Sequence, residues 1–126
     1  MRDAGPEGLR LRAEVRETEA GAVALVRVEG EVDLANADEL EAELFSDPCK
    51  SARGIVLDLL GVPFMDSSGL RVLLLLARDA GSRLVILLSP GSPVLRLLEF
   101  AEMTDIVPIC STEDEALRAL TTSAVD

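Results

Sequence analysis

The segment with the clearest chemical potential is Asp66–Gly69, whose sequence D-S-S-G places two hydroxyls beside a carboxylate. The apolar, β-branched run Ile55–Leu59 before it predicts a buried strand. After it, apolar residues recur at the spacing of a helix, at Leu70, Leu73, Leu74 and Ala77. The serines therefore lie at a strand-to-helix turn, where Asp66 or Ser67 can accept hydrogen bonds from the free amides of the first helical turn. Helix capping alone would explain part of this segment.

A catalytic role for these serines is not expected. A nucleophilic serine needs a base, the chain contains no histidine, and a normal carboxylate such as Asp66 is a weak base toward an alcohol. A serine that receives a phosphoryl group needs only an exposed hydroxyl and small neighbours, and Gly69 would give another enzyme room to approach. Phosphate at a helix N-terminus is stabilised by free amides, whereas Asp66 would repel it. We expect a substrate rather than an enzyme, with an effect on a docked partner rather than on the fold.

A second candidate site is the segment G-E-V-D-L at 30–34, which leaves a predicted strand. Asp33 and Asn36 are candidate caps of a helix marked by Leu34, Ala37, Leu40 and Leu44. In a parallel sheet the turns after the strands share one rim, and here these turns are 33–36, 66–69, 90–92 and 110–112. Capping is the simpler role for Asp33, and its predicted position on the same rim as the serines leaves a second role open.

The helix after the serines is apolar nearly all round, since Val72, Leu75 and Leu76 add a second stripe. Such a helix is either packed between the sheet and neighbouring helices or exposes an apolar strip that docks another protein. We regard Val72, Leu75 and Leu76 as candidate partner-binding residues. Their burial in the isolated domain would indicate a packed helix, and their exposure would indicate a docking strip.

Composition restricts the function classes. The 126 residues include 23 acidic and 12 basic side chains, a formal charge of -11 that repels phosphate backbones and anionic membranes. No histidine, tryptophan or tyrosine is present, and the two cysteines are too few for a zinc site without histidine. We therefore expect no nucleic-acid partner, no metal and no cofactor.

Length and hydropathy indicate one globular domain over 9–120, with flexible ends at 1–8 and 121–126. The apolar runs are shorter than the roughly 18 residues that cross a bilayer, and the acidic start does not resemble a secretory signal. We expect a cytoplasmic protein without direct membrane insertion. Cys49 precedes a predicted strand and Cys110 follows one, so they should lie at opposite ends of the sheet and form no disulfide.

The order of predicted elements indicates an α/β fold. Strands are predicted at 9–16, 23–28, 55–59, 83–88 and 106–109, and helices follow Asp33, Ser68, Pro93 and Thr112. Strands that alternate with helices imply right-handed crossovers and parallel pairing, whereas the first two strands can form a hairpin. The prediction is a mixed, mostly parallel sheet with an antiparallel N-terminal strand and packed helices.

The sequence V-L-D-L-L-G-V-P-F-M-D-S-S-G-L at 56–70 resembles the signature of STAS domains, specifically those of bacterial anti-sigma factor antagonists. The resemblance extends to the segments at 30–37, 87–100 and 111–117, hence to nearly the whole chain. It implies a single STAS domain that switches partners in transcription regulation, as in stress responses. Unphosphorylated antagonist binds an anti-sigma factor that is also a serine kinase, and thereby frees a sigma factor.

The same resemblance implies that Ser68, the second serine of the motif, is phosphorylated by that kinase, and that a serine phosphatase restores the free form. Asp33, Asp66, Ser67 and Gly69 would then contact or orient the partner. Two positions depart from the usual pattern: Asn36 replaces a common threonine, and Leu60 replaces a small polar residue. These departures leave the identity of the partner open.

Two other readings stay open at this point. A stand-alone STAS subunit of a membrane lipid-transport complex carries a similar turn and would dock permanently on an ATPase subunit. A small-ligand or nucleotide-binding STAS module would use the helix N-termini of the rim. A phosphorylation switch differs from both because it takes phosphate from ATP and then releases its partner.

Overall fold

A computed structural model describes residues 8–125 of the chain. Its strands are β1 (Arg10–Thr18), β2 (Gly21–Glu29), β3 (Gly54–Gly61), β4 (Leu84–Leu87) and β5 (Ile109–Cys110). Its helices are α1 (Ala37–Leu44), α2 (Ser67–Ala80), α3 (Pro93–Phe100) and α4 (Glu113–Val125), with short 3-10 turns at Gly81–Arg83 and Met103–Asp105.

The strands form one five-stranded sheet in the order β1-β2-β3-β4-β5. β1 pairs antiparallel with β2 through a short turn, and the remaining pairs are parallel because a helix connects each strand to the next. The predicted α/β fold is confirmed, including its antiparallel N-terminal strand. The carboxyl ends of β2 to β5 consequently point toward one rim.

Two apolar clusters lie on opposite faces of the sheet, as alternation along the strands requires. The larger cluster joins Val26, Leu57 and Ile86 to α1, α2 and α3. The smaller joins Val56 and Val85 to Ala116 and Leu120 of α4. The sheet is thus covered by three helices on one side and by α4 on the other.

The first helix begins later than predicted. α1 starts at Ala37, and Leu34, predicted to lie on its apolar face, is 81% exposed. Residues 34–36 form a turn in which the amide of Ala37 donates to the carbonyl of Asp33 at 2.9 Å. The periodicity at 37, 40 and 44 was sufficient for the helix, and Leu34 belongs to the turn before it.

The last strand is also shifted. β5 covers only Ile109–Cys110, whereas a strand was predicted at 106–109. The amides of Ile106 and Val107 both donate to the carbonyl of Met103, so this part of the segment is a turn and Ile106 is 65% exposed. Residues 121–125, predicted as part of a loose end, continue α4 as far as Val125. The predictions for residues 1–7 and 126 lie outside the described residues.

Both cysteines are free thiols, Cys49 buried and Cys110 half-buried. Burial raises the pKa of Cys49 to about 11 and also raises the pKa of Cys110, so neither thiol carries the charge of a reactive nucleophile at neutral pH. Within residues 8–125, none of the helices has the length and apolar character that crossing a membrane requires.

Candidate functional site

The rim of the sheet brings the two predicted acidic turns together. Beyond the ends of β2 and β3 the chain keeps parallel pairing between Val32 and Met65. The amide of Val32 donates to the carbonyl of Phe64 at 3.0 Å, and the amide of Asp66 donates to the carbonyl of Val32 at 3.1 Å. Asp33 therefore follows a residue that is directly bonded to the Asp66 main chain. The prediction that the turns at Asp33 and Asp66 share one rim is confirmed, and the structure shows in addition that they are adjacent.

Asp66 caps α2. Its Oδ1 accepts hydrogen bonds from the amide of Ser68 at 2.8 Å and from the amide of Gly69 at 3.4 Å. Its extended backbone, with φ -100° and ψ -170°, is typical of an N-cap residue. Of the two predicted cap candidates, Asp66 takes the role, and Ser67 is the exposed first residue of the helix.

Ser68 has its amide bonded and its hydroxyl free. Among the residues described, no partner hydrogen-bonds to the hydroxyl of Ser67 or Ser68, and no fully buried side-chain nitrogen or oxygen lacks a partner. Because Ser68 is only half-buried, its unbonded Oγ must reach the surface. The geometry presents two unbonded hydroxyls, those of Ser67 and Ser68, at the first turn of α2, where the helix dipole favours an anion.

Gly69 is needed for a different reason from the one predicted. It is buried, and a Cβ at this position would lie 2.5 Å from Met65 Cγ and 2.8 Å from Val32 Cγ1. The glycine therefore lets α2 approach the paired segments of the rim, and the prediction that it opens space for another enzyme is wrong. Its contribution to the site is to hold Ser67 and Ser68 at the edge of the sheet.

The turn at Asp33 is closed by its own side chains. Asp33 Oδ1 accepts from the amide of Ala35 at 3.0 Å, and Asn36 Oδ1 accepts from the amide of Asp33 at 3.0 Å. Asn36 Nδ2 also donates to the carbonyl of Glu31 at 2.9 Å. Although Asn36 occupies the N-cap position of α1, its side chain does not cap the helix. The side chain of Asp33 closes the turn that precedes α1. The prediction that Asp33 caps the helix is therefore wrong, because the N-cap position is Asn36, three residues later.

The predicted apolar strip on α2 is not a surface. Val72 is fully buried and Leu76 is 1% exposed, both within the larger core cluster. Leu75 is half-buried, and Leu74 on the outer side is 39% exposed. The prediction that Val72 and Leu76 bind a partner is therefore wrong. Helix α2 is packed between the sheet and α1, and both side chains are buried in the core.

The structure shows an exposed apolar surface that was not predicted from the sequence. A groove of about 690 Å³ lies between the segment before Asp66 and helix α3. We call it the apolar groove; it is lined by Phe64, Met65, Pro93, Arg96, Leu97, Glu99 and Phe100. Phe100 is 91% exposed and Phe64 is 49% exposed. Two of the chain's three phenylalanines thus face solvent, a signal that a search for aromatics outside the periodic pattern would have found.

The rim does not assemble an obvious metal site. Within residues 8–125, no three cysteine, aspartate or glutamate side chains come close enough together to hold an ion. Arg71 is the basic residue nearest the serines along α2, and its Nη1 lies 3.6 Å from Oε1 of Glu41 in α1. The arrangement consequently offers two free hydroxyls, a capping carboxylate at Asp66, a turn carboxylate at Asp33, and a neighbouring apolar groove.

A family model for the STAS domain matches residues 14–116, and the chain belongs to this family. BtrV of Bordetella bronchiseptica, which carries the name of an anti-sigma factor antagonist, is 34% identical over 76% of this chain and 84% of its own. An anti-sigma F factor antagonist of Paenibacillus polymyxa is 35% identical over 78% of this chain and 86% of its own. The family predicted from the D-S-S-G motif and its flanking segments is confirmed.

The fold has a counterpart among solved structures. The crystal structure of an anti-sigma factor antagonist from Mycobacterium paratuberculosis superposes with a TM-score of 0.76. The superposition covers 94% of the present chain and 98% of the mycobacterial chain, and the two sequences are 24% identical. This likeness concerns the fold, and the five-stranded mixed sheet with four helices is a STAS fold.

Proposed function

We propose that this protein is an anti-sigma factor antagonist that binds an anti-sigma factor with serine kinase activity and is switched off by phosphorylation of Ser68. The observation that carries the proposal is the free Ser68 hydroxyl, which reaches the surface at the first turn of a helix capped by Asp66. The names of the two relatives that are 34% and 35% identical support the antagonist part of this proposal.

The chemistry required of the chain is small. The Ser68 Oγ attacks the γ-phosphorus of ATP held by the kinase, a new oxygen–phosphorus bond forms, and the bond to the β,γ-bridging oxygen breaks to release ADP. The serine proton goes to a base that the kinase supplies, since this chain has no histidine to offer. A serine phosphatase would reverse the modification by hydrolysis.

Phosphate on Ser68 would act on the partner more than on the fold. The helix N-terminus stabilises the added charge, and the Ser68 amide is already engaged by Asp66 at 2.8 Å. The same dianion would stand close to Asp66 in a chain of net charge -11 and would change the charge presented to a docked protein. Release of the partner after phosphorylation is the expected result of this change.

The test is direct phosphorylation. We would incubate the purified chain with ATP and each purified anti-sigma factor serine kinase encoded in the same genome, and locate phosphate by mass spectrometry. We expect one phosphate on Ser68, none on Ser68→Ala, and phosphate still on Ser68 in the matched Ser67→Ala control. Phosphate that persists in Ser68→Ala would overturn the assignment. Absence of phosphate with every kinase, together with a stable complex, would instead favour a permanent docking subunit.

A further inference from the structure

The apolar groove has the composition of an interaction site. Protein interfaces are enriched in aromatic residues and arginine at their centres, and three exposed residues of these types, Phe64, Arg96 and Phe100, line this groove. Phe100 follows Pro93 by seven residues on α3, so the lined face of the helix is about 10 Å long.

The shape of the groove excludes a small molecule as its main occupant. Ligand pockets bury most of the surface of what they bind, whereas the principal aromatic wall here, Phe100, is 91% exposed. A long apolar segment of another protein can cover both phenylalanines at once. The groove therefore fits a macromolecular partner.

The net charge of the domain restricts the kind of partner that the groove can bind. A second copy of this chain and an anionic membrane both carry the same sign as the domain, whose formal charge is -11. Arg96 and Glu99 stand three residues apart on the groove side of α3, and no described side chain forms an ion pair with either of them. A matching segment carries apolar side chains flanked by a carboxylate for Arg96 and a cation for Glu99, on a protein less acidic than this one.

The groove is continuous with the serine turn. Phe64 and Met65 directly precede Asp66, and the Phe64 carbonyl accepts the hydrogen bond from Val32 that joins the two acidic turns. A protein whose active site reaches Ser68 thus has the groove immediately beside it. We propose that the apolar groove is a second docking surface for the anti-sigma factor kinase, which inserts an apolar segment between Phe64 and Phe100; this rests on the proposed function.

The test compares two exposed apolar positions given the same charge. Phe100→Asp alters the groove, and Ile106→Asp, at a residue 65% exposed and outside the groove lining, is the matched control. Calorimetric titration would measure the Kd of each variant for the kinase that binds the wild-type chain. We expect Phe100→Asp to raise the Kd at least about tenfold, as loss of an interface aromatic does, and Ile106→Asp to stay within about twofold. Saturating kinase should still phosphorylate Ser68 in both variants.

The outcomes separate the two proposals. An unchanged Kd for Phe100→Asp, or equal losses in both variants, with Ser68 still phosphorylated in the wild-type chain, would overturn the groove assignment and leave the proposed function intact. A wild-type chain that neither binds nor is phosphorylated by any such kinase would overturn the proposed function and the groove assignment with it. Sedimentation that shows a wild-type dimer dissociated by Phe100→Asp would assign the groove to a second copy and overturn the kinase as occupant.

Discussion

The backbone amide and the side-chain hydroxyl of Ser68 have separate roles. Its amide completes the cap of α2 by donating to Asp66, and its hydroxyl has no partner among the residues described. The helix start therefore does not depend on the hydroxyl, which can be modified without losing a hydrogen bond. Ser67, one residue earlier, is exposed as well but lies outside the pair of capped amides.

A charge at position 68 should separate binding from stability. We expect Ser68→Asp to change the free energy of unfolding by less than about 1 kcal/mol, because the site is half-buried at most and lies at a helix N-terminus. We also expect it to weaken binding to the kinase, because it places a carboxylate where the unmodified hydroxyl docks. Thermal unfolding by circular dichroism and calorimetric titration measure the two effects.

Ser67→Asp is the matched control, since it adds the same charge to the same helical turn. Equal weakening of kinase binding by both variants would show that the partner responds to the general charge of the rim. The acceptor position itself would then not be what the partner reads.

At the scale of the element, α2 depends on a close approach to the rim. Gly69→Ala places a Cβ 2.5 Å from Met65 Cγ and 2.8 Å from Val32 Cγ1, distances that require the packed side chains to move. We expect a loss of about 1 to 3 kcal/mol in the free energy of unfolding, the usual cost of overpacking a core. Urea denaturation followed by far-ultraviolet circular dichroism measures it, since the chain has no tryptophan or tyrosine for fluorescence.

Gly91 supplies the control for this prediction. A Cβ at Gly91 would meet no atom within 4 Å, so Gly91→Ala should leave the unfolding midpoint nearly unchanged. Equal stability of Gly69→Ala and the wild-type chain would show that α2 can move away from the rim without cost. The packing explanation for the glycine would then fail.

The elements differ in how well the sequence predicts them. The spacing of leucines identifies α2, but it cannot tell which of two apolar stripes faces solvent, because that depends on where α1 packs. Leu34 fits the periodicity of α1 yet lies outside it, since side-chain bonds of Asn36 to Asp33 and Glu31 close a turn first. Such local side-chain bonds compete with helix formation and leave no periodic signal.

At the scale of the whole molecule, the sheet is shared by two cores, and α4 supplies the helical side of the smaller one. Leu120 is 5% exposed and packs over Gly54, where a Cβ would lie 2.9 Å from Leu120 Cδ1. We expect Leu120→Ala to lower the free energy of unfolding by about 2 to 5 kcal/mol, as large-to-small changes in cores do. Denaturation should remain a single transition, because both cores rest on the same strands.

Leu117→Ala, at a half-buried position of the same helix, should cost less than Leu120→Ala. A two-step transition in the Leu120→Ala variant, with α4 lost first, would show that the smaller core unfolds independently. Circular dichroism along a urea gradient distinguishes the two cases.

The overall arrangement is the part that the sequence predicts best. Alternating strands and helices determine a parallel sheet, and a parallel sheet determines that Asp33 and Asp66 meet at one rim. The apolar groove is not predictable in this way, because Phe64 and Phe100 are 36 positions apart in the chain and become neighbours only when α3 packs beside the rim. The free state of the Ser67 hydroxyl likewise depends on whether Asp66 or Ser67 caps α2.

The hydrogen bonds that join Val32 to Phe64 and Asp66 extend the parallel pairing past the strands and connect the two acidic turns. Phosphate on the Ser68 hydroxyl would change the charge of this rim without breaking any of these hydrogen bonds. The signal would then be carried by charge and not by a change of fold. In the proposed role, the duration of each signal would be determined entirely by the enzymes that add and remove the phosphate, and the antagonist would be ready for reuse as soon as the phosphate leaves.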